Sequence, residues 1–141
     1  MSTRRKEQRF FRRITPDWET ATEAFPELPD IEVIFDEAAG TEGRQFAYFD
    51  SETESIGFSP RVIREPAHRQ RGLFRHELGH YVHHFYGRDH LQGQIPEKLA
   101  ESDEVLADQI AGFIYGEPIL YDDETVQSIR HGEPKRPDHL G

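Results

Sequence analysis

His76-Glu77-Leu78-Gly79-His80 and, further along the chain, Glu104-Val105-Leu106-Ala107-Asp108 carry the patterns from which the architecture can be built outward. Around the first, apolar residues fall at Leu73, Phe74, Leu78, Tyr81, Val82 and Phe85. Spacings of three, four and seven predict an amphipathic helix, opened by Pro66 and closed by Gly87. Around the second, Pro96 is expected in the first turn of another long helix that ends near Gly116. Its apolar face is read as Leu99, Leu106, Ile110, Phe113 and Ile114. Upstream, 31–35, 45–49 and 55–58 are β-branched and aromatic, so they read as strands, the last two forming a hairpin. Residues 38–43 read as a turn region, Ser59-Pro60 as the start of a short helix or turn, and 88–94 as a loop. Thr15-Pro16-Asp17 predicts a helix start, with the helix running to about Phe25. Asp122-Asp123-Glu124 predicts a last short helix to about Arg130. The fold class expected is α+β: a small, twisted, mostly antiparallel sheet packed on the two long helices. It would occupy residues 14–131, between a basic N-terminal arm (1–13) and a flexible tail (132–141).

Composition narrows the function. The chain has 141 residues, enough for one domain with a core of its own, and 35% of them are hydrophobic. Mean hydropathy is -0.80, and no apolar run approaches the roughly 18 residues that span a membrane. No apolar stretch follows the first charges, so no secretory signal is expected and the expected setting is cytoplasmic. Cys is absent, which removes disulfides, thiolate metal sites and Cys nucleophiles. Residues 1–13 hold six basic side chains against Glu7, whereas the whole chain carries -10. An acidic body of this kind repels phosphate backbones, so nucleic acid is not an expected partner apart from the basic arm. The few lysines and many carboxylates fit a salt-rich cytoplasm or an Arg-rich genome equally well.

The chemistry lies in the two quoted stretches. His76 and His80 are i and i+4 and share one face of a helix. That spacing lets both imidazoles reach one tetrahedral Zn²⁺. Glu77 lies about 100° around the helix, where it can take a proton from a water activated by such an ion without binding the ion itself. This is the H-E-x-x-H pattern of metalloproteases. A catalytic site needs a third protein ligand. The metzincin continuation would require Gly at 83 and His at 86, but the chain has His83 and Tyr86. His84 extends the histidine series but lies too far along the helix to share the ion. His90 could return from the loop. Glu104 is the better candidate, because Asp108, one turn on, can accept the second N–H of a ligating histidine. Glu101 competes with it, but Val105 stands four residues on and offers no such acceptor.

At these residues the chain resembles the gluzincins, zinc metallopeptidases that use two histidines and a glutamate. Among them it looks like the small ImmA/IrrE-type peptidases and minigluzincins. The matching residues are His76, Glu77, Gly79 and His80, then Glu104, Ala107, Asp108 and Ala111, with Ser55-Ile56-Gly57-Phe58 similar to the preceding strand. The resemblance covers about residues 30–116. It implies a zincin-like core in which His76, His80 and Glu104 bind Zn²⁺, Glu77 is the general base and Asp108 orients His76. It also implies a peptide or protein substrate added to an edge strand. The donor for the developing oxyanion is not assigned; Tyr115, Tyr121 and His131 are candidates. Some minigluzincins are held latent by a terminal segment, which makes the tail with Asp138 and His139 of interest.

The expected function is therefore zinc-dependent hydrolysis of peptide bonds. A second expectation keeps the same ligands in a latent or non-catalytic zinc module with a regulatory or binding role. A third is a metal-free helical domain with a fortuitous histidine pair.

Overall fold

The computed structural model of the chain describes residues 3–39 and 46–116. Within them the order is α1 (Thr3–Ala24), β1 (Glu32–Phe35), β2 (Ala47–Asp50), β3 (Ser55–Phe58), a 3-10 helix (Pro60–Arg64), α2 (Ala67–Tyr86), α3 (Arg88–Gln94) and α4 (Asp103–Tyr115). The class is α+β. The expected turn at 38–43 is described only as far as residue 39. The expected helix at 122–130 and the tail at 132–141 lie outside the described residues.

The helix expected to begin at Thr15-Pro16 instead begins at Thr3 and carries Pro16 in its interior. An interior proline removes a hydrogen bond and typically costs about 3 kcal/mol. The helix persists because Phe10, Ile14, Asp17, Ala21 and Phe25 form a buried stripe along α1 and just past its end. Their spacings of three and four give one continuous face, which ties the turns on both sides of the proline to the same core. From Thr3 on, the residues read as a basic arm are thus the first half of α1.

The sheet order is β1-β3-β2, with β1 parallel and β2 antiparallel to the central strand β3. It is mixed, not mostly antiparallel. The hairpin between β2 and β3 is as expected. Asp50 and Ser55 face each other at its end, and the Asp50 carboxylate accepts the Glu52 N–H at 2.9 Å inside the turn. All four residues of β3 are buried. Tyr48, opposite Gly57, lays its ring where a Cβ would stand, 2.3 Å away, and its hydroxyl donates to Asp36 at 2.7 Å.

Two expectations near α4 are corrected. Residues 88–94 form α3, anchored by fully buried Leu91. Pro96 does not start the long helix, which begins at Asp103. Side chains take up the backbone groups of the intervening segment. Arg88 donates to the carbonyls of Ala100 and Glu101. Gln109 accepts the Ala100 N–H and donates to the Lys98 carbonyl. Gln92 accepts the Leu99 N–H and donates to the Glu97 carbonyl. With those groups satisfied, no helix is needed to satisfy them. Phe113, assigned to the core face, is 40% exposed.

Candidate metal centre

Helices α2 and α4 approach each other at Gly79 and Ala107. A Cβ at Gly79 would stand 2.3 Å from the Ala107 carbonyl oxygen and 2.8 Å from its Cα. Only a residue without a side chain permits that distance, so Gly79 sets the helix separation. On α2, His76 stands one turn before this contact and His80 one residue after it. On α4, Glu104 stands one turn before Ala107 and Asp108 one residue after it. The close approach therefore brings the two i, i+4 pairs face to face.

The result is a compact cluster. His76 is fully buried, and its Nδ1 donates to Asp108 Oδ1 at 2.8 Å. Its Nε2 lies 3.0 Å from Glu104 Oε2, and His80 Nε2 lies 3.1 Å from Glu104 Oε1. The two imidazole rings meet edge to face, with centroids 4.9 Å apart. One ligand atom from each of His76, His80 and Glu104 lies within 4.8 Å of the others. With bonds of about 2.0–2.1 Å, the edge of a tetrahedral zinc site is roughly 3.3 Å. The two His–Glu separations, each to a different oxygen of Glu104, are close to that edge, so this His-His-Glu group could hold a metal ion of zinc's size. Asp108 holds the His76 ring so that Nε2 faces Glu104.

The electrostatics follow from the same contacts. Burial alone would lower the pKa of His76. The hydrogen bonds to Asp108 and Glu104, with the charges of Glu77 and Asp108, outweigh burial and raise it to about 9. Burial would raise the pKa of Glu104, but hydrogen bonds from His76 and His80 hold it down at about 2. Without an ion, a proton on His76 thus balances the carboxylates. A cation can replace that proton, because zinc requires neutral imidazoles and an ionised carboxylate.

Glu77 is 2% exposed, and its charge acts on His76. The other sequence candidates are elsewhere. Glu101 is exposed in the irregular segment before α4. His90 stacks on Tyr86 with ring centroids 4.7 Å apart, and His84 pairs with Glu54 at 3.3 Å. The Tyr115 hydroxyl donates to the Asp17 carbonyl on α1 at 2.8 Å, under the Arg75 guanidinium, and burial pushes its pKa up. Its hydroxyl is committed to α1, and it is not a member of the group formed by His76, His80 and Glu104. Tyr121 and His131 lie outside the described residues.

Sequence reasoning missed an ion cluster behind α2. The Asp17 carboxylate, 1% exposed, accepts from Arg71 Nε at 3.2 Å, from Arg71 Nη2 at 2.9 Å and from Arg75 Nη2 at 2.9 Å. It locks α1 to the turn of α2 that carries His76. The signal was present, since Asp17 falls on the apolar stripe of α1, but it is legible only once that helix is known to extend back to Thr3.

Comparison with known proteins gives no match to any protein family, curated protein or solved structure.

Proposed function

We propose that this chain is a zinc metallopeptidase in which His76, His80 and Glu104 hold the metal and Glu77 is the general base. The observation that carries the proposal is the set of His–Glu distances across the Gly79–Ala107 contact, 3.0 and 3.1 Å. Bound there, zinc would supply Lewis acidity to a scissile carbonyl and lower the pKa of an attacking water. The chain supplies the rest. Asp108 fixes the tautomer and orientation of His76. Glu77 takes the proton of the attacking water and passes it to the leaving amine. The substrate class is a peptide or protein. Of the two edge strands, β2 lies against α2, with Phe49 packed on Tyr81 and His84 at ring distances of 5.6 and 5.5 Å. It is the edge to which an extended substrate would add. No helix among the described residues is long and apolar enough to cross a membrane, and the Cys-free sequence suits the cytoplasm proposed as the setting.

A second reading is favoured by the burial of Glu77. A carboxylate this enclosed also suits a zinc module that clamps α2 to α4 without hydrolysis. Glu77→Gln separates the two. Under the peptidase reading it keeps stoichiometric zinc and loses hydrolysis of a mixed peptide library. A wild-type chain that is zinc-loaded and inert toward that library supports the module; normal cleavage by the variant removes Glu77 as base.

A further inference from the structure

Residues 51–54 join β2 to β3, and Glu54 closes that turn with φ +52°. Among the described residues it is the only one besides glycine with a positive φ. The left-handed region favours glycine or asparagine. A glutamate there holds a less comfortable backbone and sets a long carboxylate at a fixed place, a pattern that points to a use for the side chain. Its Oε2 lies 3.3 Å from His84 Nε2, and the two side chains keep 53% and 37% of their surface in solvent.

His84 continues the α2 face that carries His76 and His80, one turn and about 6 Å of helix beyond His80. Phe49, next to the last residue of the edge strand β2, packs on His84 and Tyr81 with ring centroids 5.5 and 5.6 Å away. Glu54, His84 and Phe49 therefore meet where the turn end of β2 crosses α2. The neighbouring Asp50 is used by the turn itself, accepting the Glu52 N–H at 2.9 Å. Residues 45–60 contain no Lys or Arg, and the imidazole opposite Glu54 is a cation only when protonated. A Lys or Arg side chain, charged throughout the neutral range, can take that place beside the carboxylate.

Resting on the peptidase reading above, we propose that Glu54 determines specificity: it selects a Lys or Arg of the substrate two residues from the one whose carbonyl meets the metal. A strand added to β2 advances about 3.3 Å per residue and returns its side chains to one face every second residue. Two residues thus cover about 6.6 Å, close to the one-turn step from His80 to His84. The apolar stem of the basic side chain lies along Phe49, and its head reaches Glu54.

Binding is read by anisotropy of a labelled neutral peptide carrying one Lys or one Glu, on the zinc-loaded full-length chain with Glu77→Gln in place to prevent cleavage. The Lys peptide is expected to bind about fivefold tighter, the scale of a partly exposed ion pair. Adding Glu54→Gln should abolish the preference, and adding Glu54→Lys should reverse it. Glu54→Gly suits the left-handed backbone, so it should raise Tm and still lose the preference, which separates specificity from folding. Glu52→Gln removes an equal charge from the same turn and should leave the preference intact, which separates contact with Glu54 from the general field of an acidic chain. A preference that survives Glu54→Gln, or that Glu52→Gln abolishes equally, overturns the proposal. Cleavage of the same peptides by the unsubstituted chain tests the reading beneath it. Binding that selects Lys through Glu54 without cleavage contradicts the peptidase and supports the Glu54 contact. Cleavage with no preference for Lys contradicts the Glu54 contact alone, and failure to bind or cleave either peptide overturns both.

Discussion

Gly79→Ala tests the helix contact that brings His76 and His80 to Glu104. The new Cβ would lie 2.3 Å from the Ala107 carbonyl oxygen, whereas ordinary contact begins at 3.4 Å. Helix α4 must therefore withdraw by about 1.1 Å, since backbone cannot rotate out of the way as a side chain can. Overpacking of this kind costs roughly 1–3 kcal/mol. Replacing a mid-helix glycine returns about 1 kcal/mol, so the net loss should be about 1 kcal/mol, a fall in Tm of roughly 3–6 °C. The effect on zinc should be larger. Both histidines move with α2 and Glu104 moves with α4, so the gaps of 3.0 and 3.1 Å widen together. Ligand distances in metal sites stay within about 0.2 Å of their usual values, less than this shift. A loss of affinity of about 100-fold is expected, equivalent to about 2.7 kcal/mol. The assay is competition for zinc against a chromophoric chelator, with circular dichroism to follow stability. Gly112→Ala is the control: it lies in α4 with nothing within 4 Å of the new Cβ. It should leave zinc affinity unchanged and raise stability by up to about 1 kcal/mol. Equal zinc affinity and equal Tm for Gly79→Ala and the unsubstituted chain would refute the reasoning.

Asp108→Ala removes the acceptor of the His76 Nδ1–H and should weaken zinc about 10–100-fold with little change in helix content, read by the same chelator competition. In chelator-treated protein, the raised His76 pKa contributes stability that is complete below pH 6.5 and is lost as pH rises through about 9. The depressed Glu104 pKa contributes stability present above pH 4.5 and lost as pH falls through about 2. Melting of metal-free protein should therefore be highest between these limits, and zinc should abolish the decline on the alkaline side; a Tm rising from pH 6.5 to 9 without metal would contradict the assignment. Asp17→Asn removes the buried carboxylate that accepts from both Arg71 and Arg75 and should cost about 3 kcal/mol in urea unfolding.

The sequence was most readable where one element carries its own signal. The apolar spacing around His76 defined α2, and the β2–β3 hairpin followed from its aromatic alternation. The cluster of His76, His80 and Glu104 was legible because i, i+4 spacing puts each pair of side chains on one face of its own helix. The long-range pairing of the parallel strands β1 and β3 left no such mark, because the order of strands in a sheet depends on contacts distant in sequence. Pro16 and Pro96 misled in opposite directions. Local preference places both at helix starts, yet the stripe from Phe10 to Phe25 carries α1 through the first. At the second, backbone bonding by Arg88, Gln92 and Gln109 replaces the expected turn. In each case tertiary contacts outweigh a local propensity of a few kcal/mol.

X-ray absorption at the zinc edge of the metal-loaded full-length chain reads the proposed ligands of the ion themselves. Two imidazole nitrogens and carboxylate oxygen at about 2.0–2.2 Å, with one imidazole lost in His80→Ala, is the predicted result. A shell of water oxygens without imidazole, or a spectrum unchanged by His80→Ala and by Glu104→Ala, would contradict it.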